Sequence, residues 1–547
     1  MKECLPLRGI VTVLNSPFTA TNQLDTGALR VHVRKALAAG VAGFLSPAMA
    51  SEVDKLTPAE RDSPPKPSRI EQPSEEAGRH ACVQRRQVVC GKCGPDRALQ
   101  FLWRRLRCFR NNRDQPNKNP GQFLQILAVF GGLAITSVTG LAWAAEVNYD
   151  EAKVDVFPLP DPLRMEDGRT VTNATMWHRL RRPEILRLFQ TEVYGKPPAR
   201  PLAQHFRVVA ENRHALAGRA TRWDLELDIN AATNGTALRF TLFLPNDRPG
   251  PVPVFVGVHV FDTAHPHPQP AVARRLPGVP KAAPEENART GRATADLILA
   301  RGYGLASLNI EHLAPDSATN YWRGVARLYG RTQPGSPGAG ETGALGLWGW
   351  GLSRTMDYFE SAPDVDARRV ILIGHSRMGK TALWAAANDE RFAAVISNNS
   401  GCGGAALSRR NYGETVGIIT RVFPHWFCGN FSKYADHEDR LPVDQHELVA
   451  LIAPRPVYIA SAVDDRWADP RGEFLAARNA EPVYRLLNAG GLGVSDMPPP
   501  AQPVGETIRY HLRLGQHDLT DYDWDRYLDF ADRCLASPAT IRVQSRP

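Results

Sequence analysis

A serine at the apex of a glycine-flanked turn is the feature that most limits how this chain can fold. The apolar run at residues 369–373 predicts a buried strand, and residues 381–387 predict a helix just after it. Between them, residues 374–380 read Gly-His-Ser-Arg-Met-Gly-Lys. The glycines allow a sharp turn and close helix packing, which favours an α/β fold with the Ser376 hydroxyl exposed as a nucleophile. A plain strand-to-helix connection is the alternative, because Met378 stands where the general pattern has glycine.

Acidic and histidine partners for this serine follow later in the chain. A predicted strand at residues 456–462 runs into Asp464 and Asp465, and another at residues 508–513 opens into the loop that carries His517. Serine, acid and histidine, each just past a strand, is the chain order that α/β-hydrolases use to deprotonate a hydroxyl. Taken singly, the histidine fits a surface loop and the two acids fit a solvated turn. The set of three predicts a catalytic triad.

Further motifs share the order of a known family. They lie at residues 397–407, 413–415, 423–427, 444–446, 453–456 and 467–470. Together with the serine turn they resemble the glucuronoyl esterases, family 15 of the carbohydrate esterases, over about residues 155–535. The resemblance implies an α/β-hydrolase fold, a three-layer sandwich. It also implies hydrolysis of (4-O-methyl-)glucuronic acid esters between glucuronoxylan and lignin alcohols, with no cofactor or metal.

The same resemblance assigns roles to single residues. It implies that Ser376 is the nucleophile, that His517 is its base, and that Arg377 stabilises the oxyanion. It implies contacts to the uronate hydroxyls for three further residues, Lys380, Glu414 and Trp467. The physical reading agrees for Arg377, because a cation at a helix N-terminus is electrostatically unfavourable and needs a compensating function. A surface ion pair for Arg377, a core tryptophan and solvated helix charges are the alternatives.

Two positions depart from the family pattern. Many relatives have cysteine where His375 stands, tied by a disulfide to the histidine region, and that staple is absent here. Some relatives orient the histidine with a glutamate at the position that matches Asn399, which cannot carry a charge. The acid must then come from the later loop. We prefer Asp465, which directly precedes Arg466, and Asp464 remains the alternative.

The charge of the chain is concentrated at its N-terminal end. The 547 residues carry a formal net charge of +9, and residues 1–145 alone hold 20 Lys and Arg against 11 Asp and Glu. The basic balance therefore indicates no nucleic-acid binding by the later part, where no basic face or binding motif occurs. The histidines there that lie outside the triad, such as His259, His425 and His446, are dispersed and are interpreted as structural.

The sequence of the first 145 residues indicates three segments of different character. Residues 1–62 resemble the first strand, helix and second strand of the dihydrodipicolinate synthase family, which is too little to close a β/α barrel. Residues 63–120 predict a disordered basic linker. Residues 121–145 resemble a signal peptide or, if uncleaved, a membrane anchor. The esterase-like domain, residues 146–547, is then expected to be secreted or periplasmic, or to be membrane-anchored outside the cytoplasm.

The cysteines leave several possibilities open. Cys90 and Cys93, with Cys82 or Cys108, have irregular spacing for a zinc knuckle, which we regard as the lesser interpretation. The later domain has three cysteines, Cys402, Cys428 and Cys534. They allow one disulfide and one free thiol, and the sequence does not indicate which pair would join. Alternative functions are an acetyl xylan or feruloyl esterase and a non-catalytic sugar-binding relative. A barrel lyase ranks far behind them, because only the opening of a barrel is present.

Overall fold

Two separate units make up the chain. They comprise residues 1–144 and residues 145–547. The structure is a computed structural model. It describes Ile10–Val13, Val41–Leu45, Val88–Cys90 and residues 147–201, 203–229, 237–258, 291–329 and 335–536.

The first unit contains a small three-stranded sheet. Strand β1 (Ile10–Val13) pairs in parallel with β2 (Val41–Leu45), and β3 (Val88–Cys90) pairs antiparallel with β2. Parallel pairing of β1 and β2 agrees with the strand–helix–strand opening expected for residues 1–62. Strand β3 falls within the stretch expected to be a linker. The helix between β1 and β2, the other N-terminal cysteines and the expected signal or anchor lie outside the described residues, and these assignments stay predictions.

The second unit is built on one mixed sheet of ten strands. They are β4 (Gln204–His214), β5 (Ala220–Ile229), β6 (Ala237–Pro245), β7 (Val252–Val258), β8 (Gly304–Asn309), β9 (Val365–His375), β10 (Ala394–Asn398), β11 (Val457–Ala462), β12 (Val504–Gly505) and β13 (Ile508–Arg513). The spatial order is β12-β13-β11-β10-β9-β7-β8-β6-β5-β4. The six neighbours from β13 to β8 run parallel, and the flanking strands are antiparallel. The strands predicted from the sequence are confirmed.

Eight helices of six residues or more accompany this sheet in the described part of the chain. They are α1 (Arg182–Glu192), α2 (Gly291–Ala300), α3 (Ala344–Phe359), α4 (Arg377–Asn388), α5 (Val416–Val422), α6 (Gln445–Ala450), α7 (Pro470–Leu486) and α8 (Asp521–Ala536). Shorter helical segments occur at Glu151–Lys153, Ala174–Met176, Trp177–Arg181, Ala215–Gly218, Tyr321–Arg323, Val325–Tyr329, Ser408–Arg410, Phe431–Tyr434, Glu438–Arg440 and Arg466–Ala468. The helix predicted after the strand at residues 369–373 is α4, and α3 precedes that strand.

Alternating side chains of β9 separate the core into two layers. Val370 and Leu372 join one buried cluster, which includes residues of α3, α4, α6 and α7. Ile371 and Ile373 point to the other face and join the cluster that contains residues of α2 and α8. A strand that is apolar on both faces is buried in the middle of a sandwich. The unit is therefore a three-layer α/β-hydrolase sandwich, as the sequence predicted.

The topology brings four loops to one edge of the sheet. Strands β9, β10, β11 and β13 are parallel neighbours, so their carboxyl ends lie together.

The three cysteines of the second unit that are described are free thiols, so the disulfide left open by the sequence is not formed among them. None of the helices in the described ranges combines the length and apolar character that a bilayer crossing requires.

A short N-terminal strap, residues 147–153, ties down two of the loops at this edge. The guanidinium of Arg466 lies 5.0 Å from the Tyr149 ring centre and donates to the Tyr149 carbonyl. Glu151 accepts from the buried Arg410 at 2.7 Å. The strap therefore holds the loops after β10 and β11, which are distant from it in sequence.

The strap yields a prediction about where the second unit begins. A chain that starts at residue 146 should unfold cooperatively on its own, because every element of the sheet lies after that point. A chain that starts at residue 155 should have a lower Tm, because it loses the strap's ion pair and cation–π contact. Thermal unfolding measures both. Equal Tm values would show that the strap adds no stability, and a 146 start that folds only with residues 1–145 restored would show that the units depend on each other.

Candidate active site

The serine turn lies between β9 and α4 in a strained conformation. Ser376 has φ of 58° and ψ of −129°, which few non-glycine residues adopt. A Cβ on Gly374 would lie 2.0 Å from the Met378 carbonyl oxygen, so only glycine fits there. A Cβ on Gly379 would lie 3.0 Å from the Gly374 oxygen and from the side chain of Ser400. The two glycines therefore allow the helix to start against the strand ends, and Met378 is no obstacle to the turn.

His517 and Asp465 meet beside this turn. The Nδ1 atom of His517 lies 2.6 Å from an Asp465 carboxylate oxygen, so we assign the Nδ1 proton to this bond, which leaves Nε2 of the neutral ring unprotonated. The His517 ring centre lies 4.5 Å from that of His375, which directly precedes Ser376. His517 is 39% exposed and Asp465 only 3%. A buried acid thus orients an accessible imidazole.

The charges of this pair shift both pKa values in the direction a triad needs. Burial disfavours the imidazolium, but the Asp465 carboxylate outweighs it and raises the pKa of His517 above its ordinary value. Burial likewise disfavours the carboxylate, yet the charge and hydrogen bond of His517 hold the pKa of Asp465 below its usual range. His375 differs, since burial lowers its pKa to about 3 and leaves it neutral.

The structure separates the two candidate acids. Asp465 accepts from His517 and also from the side-chain amide of Asn399, at 2.6 Å. Asp464 is exposed, and its backbone N–H donates to the Gly515 carbonyl at 3.0 Å. The position that bears glutamate in some relatives thus supplies an uncharged donor to the acid. Of the two candidate acids, it is Asp465 that contacts the imidazole.

Arg377 is held beside the serine by residues that the sequence did not single out for this role. Its guanidinium donates to Asp316 and lies 5.4 Å from the Trp426 ring centre. Asp316 also accepts from His425 Nε2 at 2.8 Å and from Trp426 Nε1 at 2.7 Å. Burial opposes ionisation of Asp316, but these partners keep its pKa below the ordinary value. His425 is therefore structural, as expected, and it supports the anchor of Arg377.

The three residues expected to contact the uronate lie on helix α4 (Lys380) and on the loops after β10 (Glu414) and β11 (Trp467). Lys380 is 2% exposed, and its ammonium donates to the Ser400 carbonyl at 2.7 Å, to the Cys402 carbonyl at 2.5 Å and to Glu414 at 3.2 Å. All three of its protons have protein partners, so a sugar hydroxyl reaches it only by sharing or replacing one. The Glu414 N–H donates to the Trp467 carbonyl at 2.9 Å, which joins the two loops. Trp467 is half-buried.

Among the described residues, no group of three or more His, Cys, Asp or Glu side chains is arranged to hold a metal.

Asp316 and the donating role of Asn399 were missed by sequence reasoning. Asp316 lies 61 positions before its partner in a stretch without a recognised motif. Asn399 was noted as uncharged, and its hydrogen bond follows only from the fold.

Comparison with known proteins finds carbohydrate esterases, glucuronoyl esterases among them. The family model for glucuronyl esterase of fungi matches residues 315–488. Carbohydrate esterase MZ0003, from an unknown prokaryotic organism, is 42% identical over 428 residues, which cover 74% of this chain and 98% of that protein. A 4-O-methyl-glucuronoyl methylesterase of Schizophyllum commune is 28% identical over 386 residues, covering 66% of this chain and 84% of that one.

Solved structures show the same likeness over most of the chain. The glucuronoyl esterase from Solibacter usitatus has 43% sequence identity and a TM-score of 0.63, and the match covers 70% of this chain and 99% of that one. Nearly complete coverage of two relatives at more than 40% identity shows the family. The chain belongs to the glucuronoyl esterases, carbohydrate esterase family 15, and is a carboxylic ester hydrolase.

Proposed function

We propose that the second unit hydrolyses esters of 4-O-methyl-glucuronic or glucuronic acid, such as those that join glucuronoxylan to lignin alcohols. The observation that carries the proposal is the 2.6 Å contact of His517 with Asp465 beside a strained Ser376 turn. The names of the relatives support the choice of acyl group. The anchored Arg377 fits an acyl group whose oxyanion needs a charged donor.

Acylation begins with proton transfer from Ser376 to the imidazole. Nε2 of His517 removes the hydroxyl proton while the oxygen attacks the ester carbonyl carbon. Asp465 stabilises the imidazolium, because its buried carboxylate accepts a charge-assisted hydrogen bond from Nδ1–H. The tetrahedral intermediate expels the alcohol, which takes the proton from His517. The uronic acid is left as an ester of Ser376.

Arg377 acts on the charge that develops during this step. The carbonyl oxygen becomes negative in the tetrahedral intermediate, and a guanidinium next to the nucleophile stabilises it together with backbone N–H groups. Asp316 and Trp426 restrict the rotamers of Arg377, so little reorganisation is needed when the charge appears. Trp467 offers an aromatic face for the sugar ring. Glu414, oriented by Lys380, offers an acceptor for its hydroxyls.

Deacylation repeats the sequence with water. His517 removes a proton from water, the resulting hydroxide attacks the acyl carbon, and the second tetrahedral intermediate returns the Ser376 hydroxyl. The products are the free uronic acid and the alcohol released earlier. Each proton that His517 accepts is passed on within the same half-reaction, so the cycle needs no cofactor.

We also infer that residues 121–145 deliver this unit to the outside of the cytoplasm, as a signal peptide or as an anchor. A basic flank with Arg113 and Lys118 precedes an apolar stretch, and small residues stand at Ala142 and Ala144. Residues 1–62 remain interpreted as a barrel remnant and residues 63–120 as a linker. A polymeric cell-wall substrate agrees with export, because such a polymer is too large to enter a cell.

The nucleophile is tested by Ser376→Ala. Turnover of methyl glucuronate should fall by about 10⁶-fold, as it does when a triad serine is lost elsewhere. Intact-mass analysis should show that a fluorophosphonate labels the wild type and leaves the variant unlabelled. Aryl acetate and feruloyl esters, assayed in parallel, identify the rival hemicellulose esterases. A variant that folds and retains most of its activity would contradict the acyl-enzyme mechanism.

The acid is tested by comparing Asp465→Asn with Asp464→Asn. Asp465→Asn should lower kcat by on the order of 10³–10⁴, because the neutral amide no longer fixes the tautomer or stabilises the imidazolium. The acid limb of kcat/KM should also move to lower pH, since the carboxylate that raises the pKa of His517 is gone. Asp464→Asn should leave both quantities unchanged. The opposite pattern would make Asp464 the acid.

The anchor of Arg377 is tested by Asp316→Asn. The variant removes the charge that orients the guanidinium, so kcat should fall by up to about 10²-fold, the lower range for losing one oxyanion donor. KM should change little. Asp366→Asn breaks an Arg–Asp pair of 2.8 Å at the other end of β9 and is the matched control. Equal kcat values in the two variants would show that Asp316 has no part in catalysis.

A further inference from the structure

The loop that carries His517 has little hydrophobic packing of its own. Leu514 at its start is 70% exposed, and residues 516–518 are exposed as well. Burial of apolar surface therefore contributes little to fixing this loop. One contact with a neighbouring loop is a 3.0 Å hydrogen bond from the Asp464 N–H to the Gly515 carbonyl. A base that must meet Ser376 within hydrogen-bond distance needs a firmer support.

Arg513 provides such a support from below the loop. This residue ends β13 and is only 4% exposed. Its guanidinium donates to the carbonyls of Leu514 at 2.9 Å, Gln516 at 2.7 Å and Asp518 at 2.7 Å. Two of these acceptors directly flank His517 in the chain. The guanidinium thus spans the loop from its first residue to the residue after the imidazole.

A buried aspartate fixes the guanidinium in turn. Nε of Arg513 donates to Asp523 at 2.9 Å, and Asp523 has no exposed side-chain surface. Asp523 also accepts from His511 Nε2 at 2.9 Å and from the Thr520 N–H at 2.7 Å. Because Asp523 belongs to the first turn of α8, the arginine links strand β13, helix α8 and the loop between them.

We propose that Arg513 is the positioning residue for His517, the proposed base: the guanidinium, held by Asp523, sets the backbone of residues 514–518 so that the imidazole faces Ser376. The role rests on the proposed function in which His517 is the base. Arginine is required because its planar group presents several N–H donors in a fixed fork, whereas lysine offers three donors from a single atom. Arg513 does not touch the substrate.

Arg513→Lys in the full chain tests the proposal, since it keeps the positive charge and removes the fork. We expect kcat for methyl glucuronate to fall by about 10²-fold, the cost of a small misplacement of a catalytic group, with KM unchanged. Hydrogen exchange by mass spectrometry should be faster in the peptide that covers residues 514–520. If this variant does not fold, Asp523→Asn, which keeps the arginine and weakens its anchor, should give the same changes at smaller size.

Arg455→Lys is the matched control. Arg455 also donates to three carbonyls, those of Ala386 at 2.6 Å, Asp389 at 3.1 Å and Phe392 at 3.1 Å, but it precedes β11 at the opposite end of the sheet. It should lower Tm without changing kcat or the exchange of residues 514–520. If Arg513→Lys behaves in the same way, Arg513 has only a structural role and the proposal is wrong.

The exchange measurement separates this proposal from the proposed function. Inactive wild type on every glucuronate ester would overturn the proposed function, while exchange in residues 514–520 would still show whether Arg513 orders the loop. Active wild type with unchanged exchange in Arg513→Lys would overturn the positioning role alone. Faster exchange with unchanged kcat would also overturn it, because the loop would then have lost order in the variant without any effect on the base.

Discussion

Close contact between the start of α4 and the ends of β9 and β10 is the constraint on which the site depends. A side chain at Gly374 or Gly379 would crowd neighbouring atoms, and without one at Gly379 the side chain of Ser400 lies close to the turn. Ser376 is thereby forced to a positive φ, which costs on the order of 1–3 kcal/mol. The surrounding sheet sustains that strain, because the Ser376 N–H donates to the Asn398 carbonyl at 2.9 Å.

The charges around His517 follow a second constraint, since two ionised carboxylates at one buried position repel each other. Asn399 donates to Asp465 at 2.6 Å. A glutamate carboxylate at that distance would repel Asp465, and one of the two would have to bind a proton. An amide instead stabilises the ionised acid. Asparagine at this position is therefore consistent with a triad whose only acid comes from the loop after β11.

Sequence reasoning predicted the elements that local residue patterns specify, and it missed contacts between residues that are distant in sequence and that only the fold brings together. The strand–turn–helix at Ser376 and the three layers follow from apolar runs and glycines, and both were confirmed. The roles of the site residues stay predictions. Whether Asp464 or Asp465 meets His517 depends on which side chain turns inward, which no run of residues specifies. The partner of Arg377 is equally hidden, because Asp316 belongs to another strand-end loop. For the same reason the sequence could not show that all three N–H donors of the Lys380 ammonium are bound by protein acceptors.

The loops of this site are held by arginines and carboxylates that hydrogen-bond to one another and to backbone carbonyls. Asp316 anchors Arg377, the strap holds Arg466, and Arg513 supports the loop of His517. Fully formed bonds of this kind are strong when buried, but removing one partner leaves a desolvated charge. Such a site is therefore rigid while complete and sensitive to the loss of any single member. Geometry that a covalent link would fix at one point depends here on several hydrogen bonds and ion pairs, which lie on different loops at this edge of the sheet.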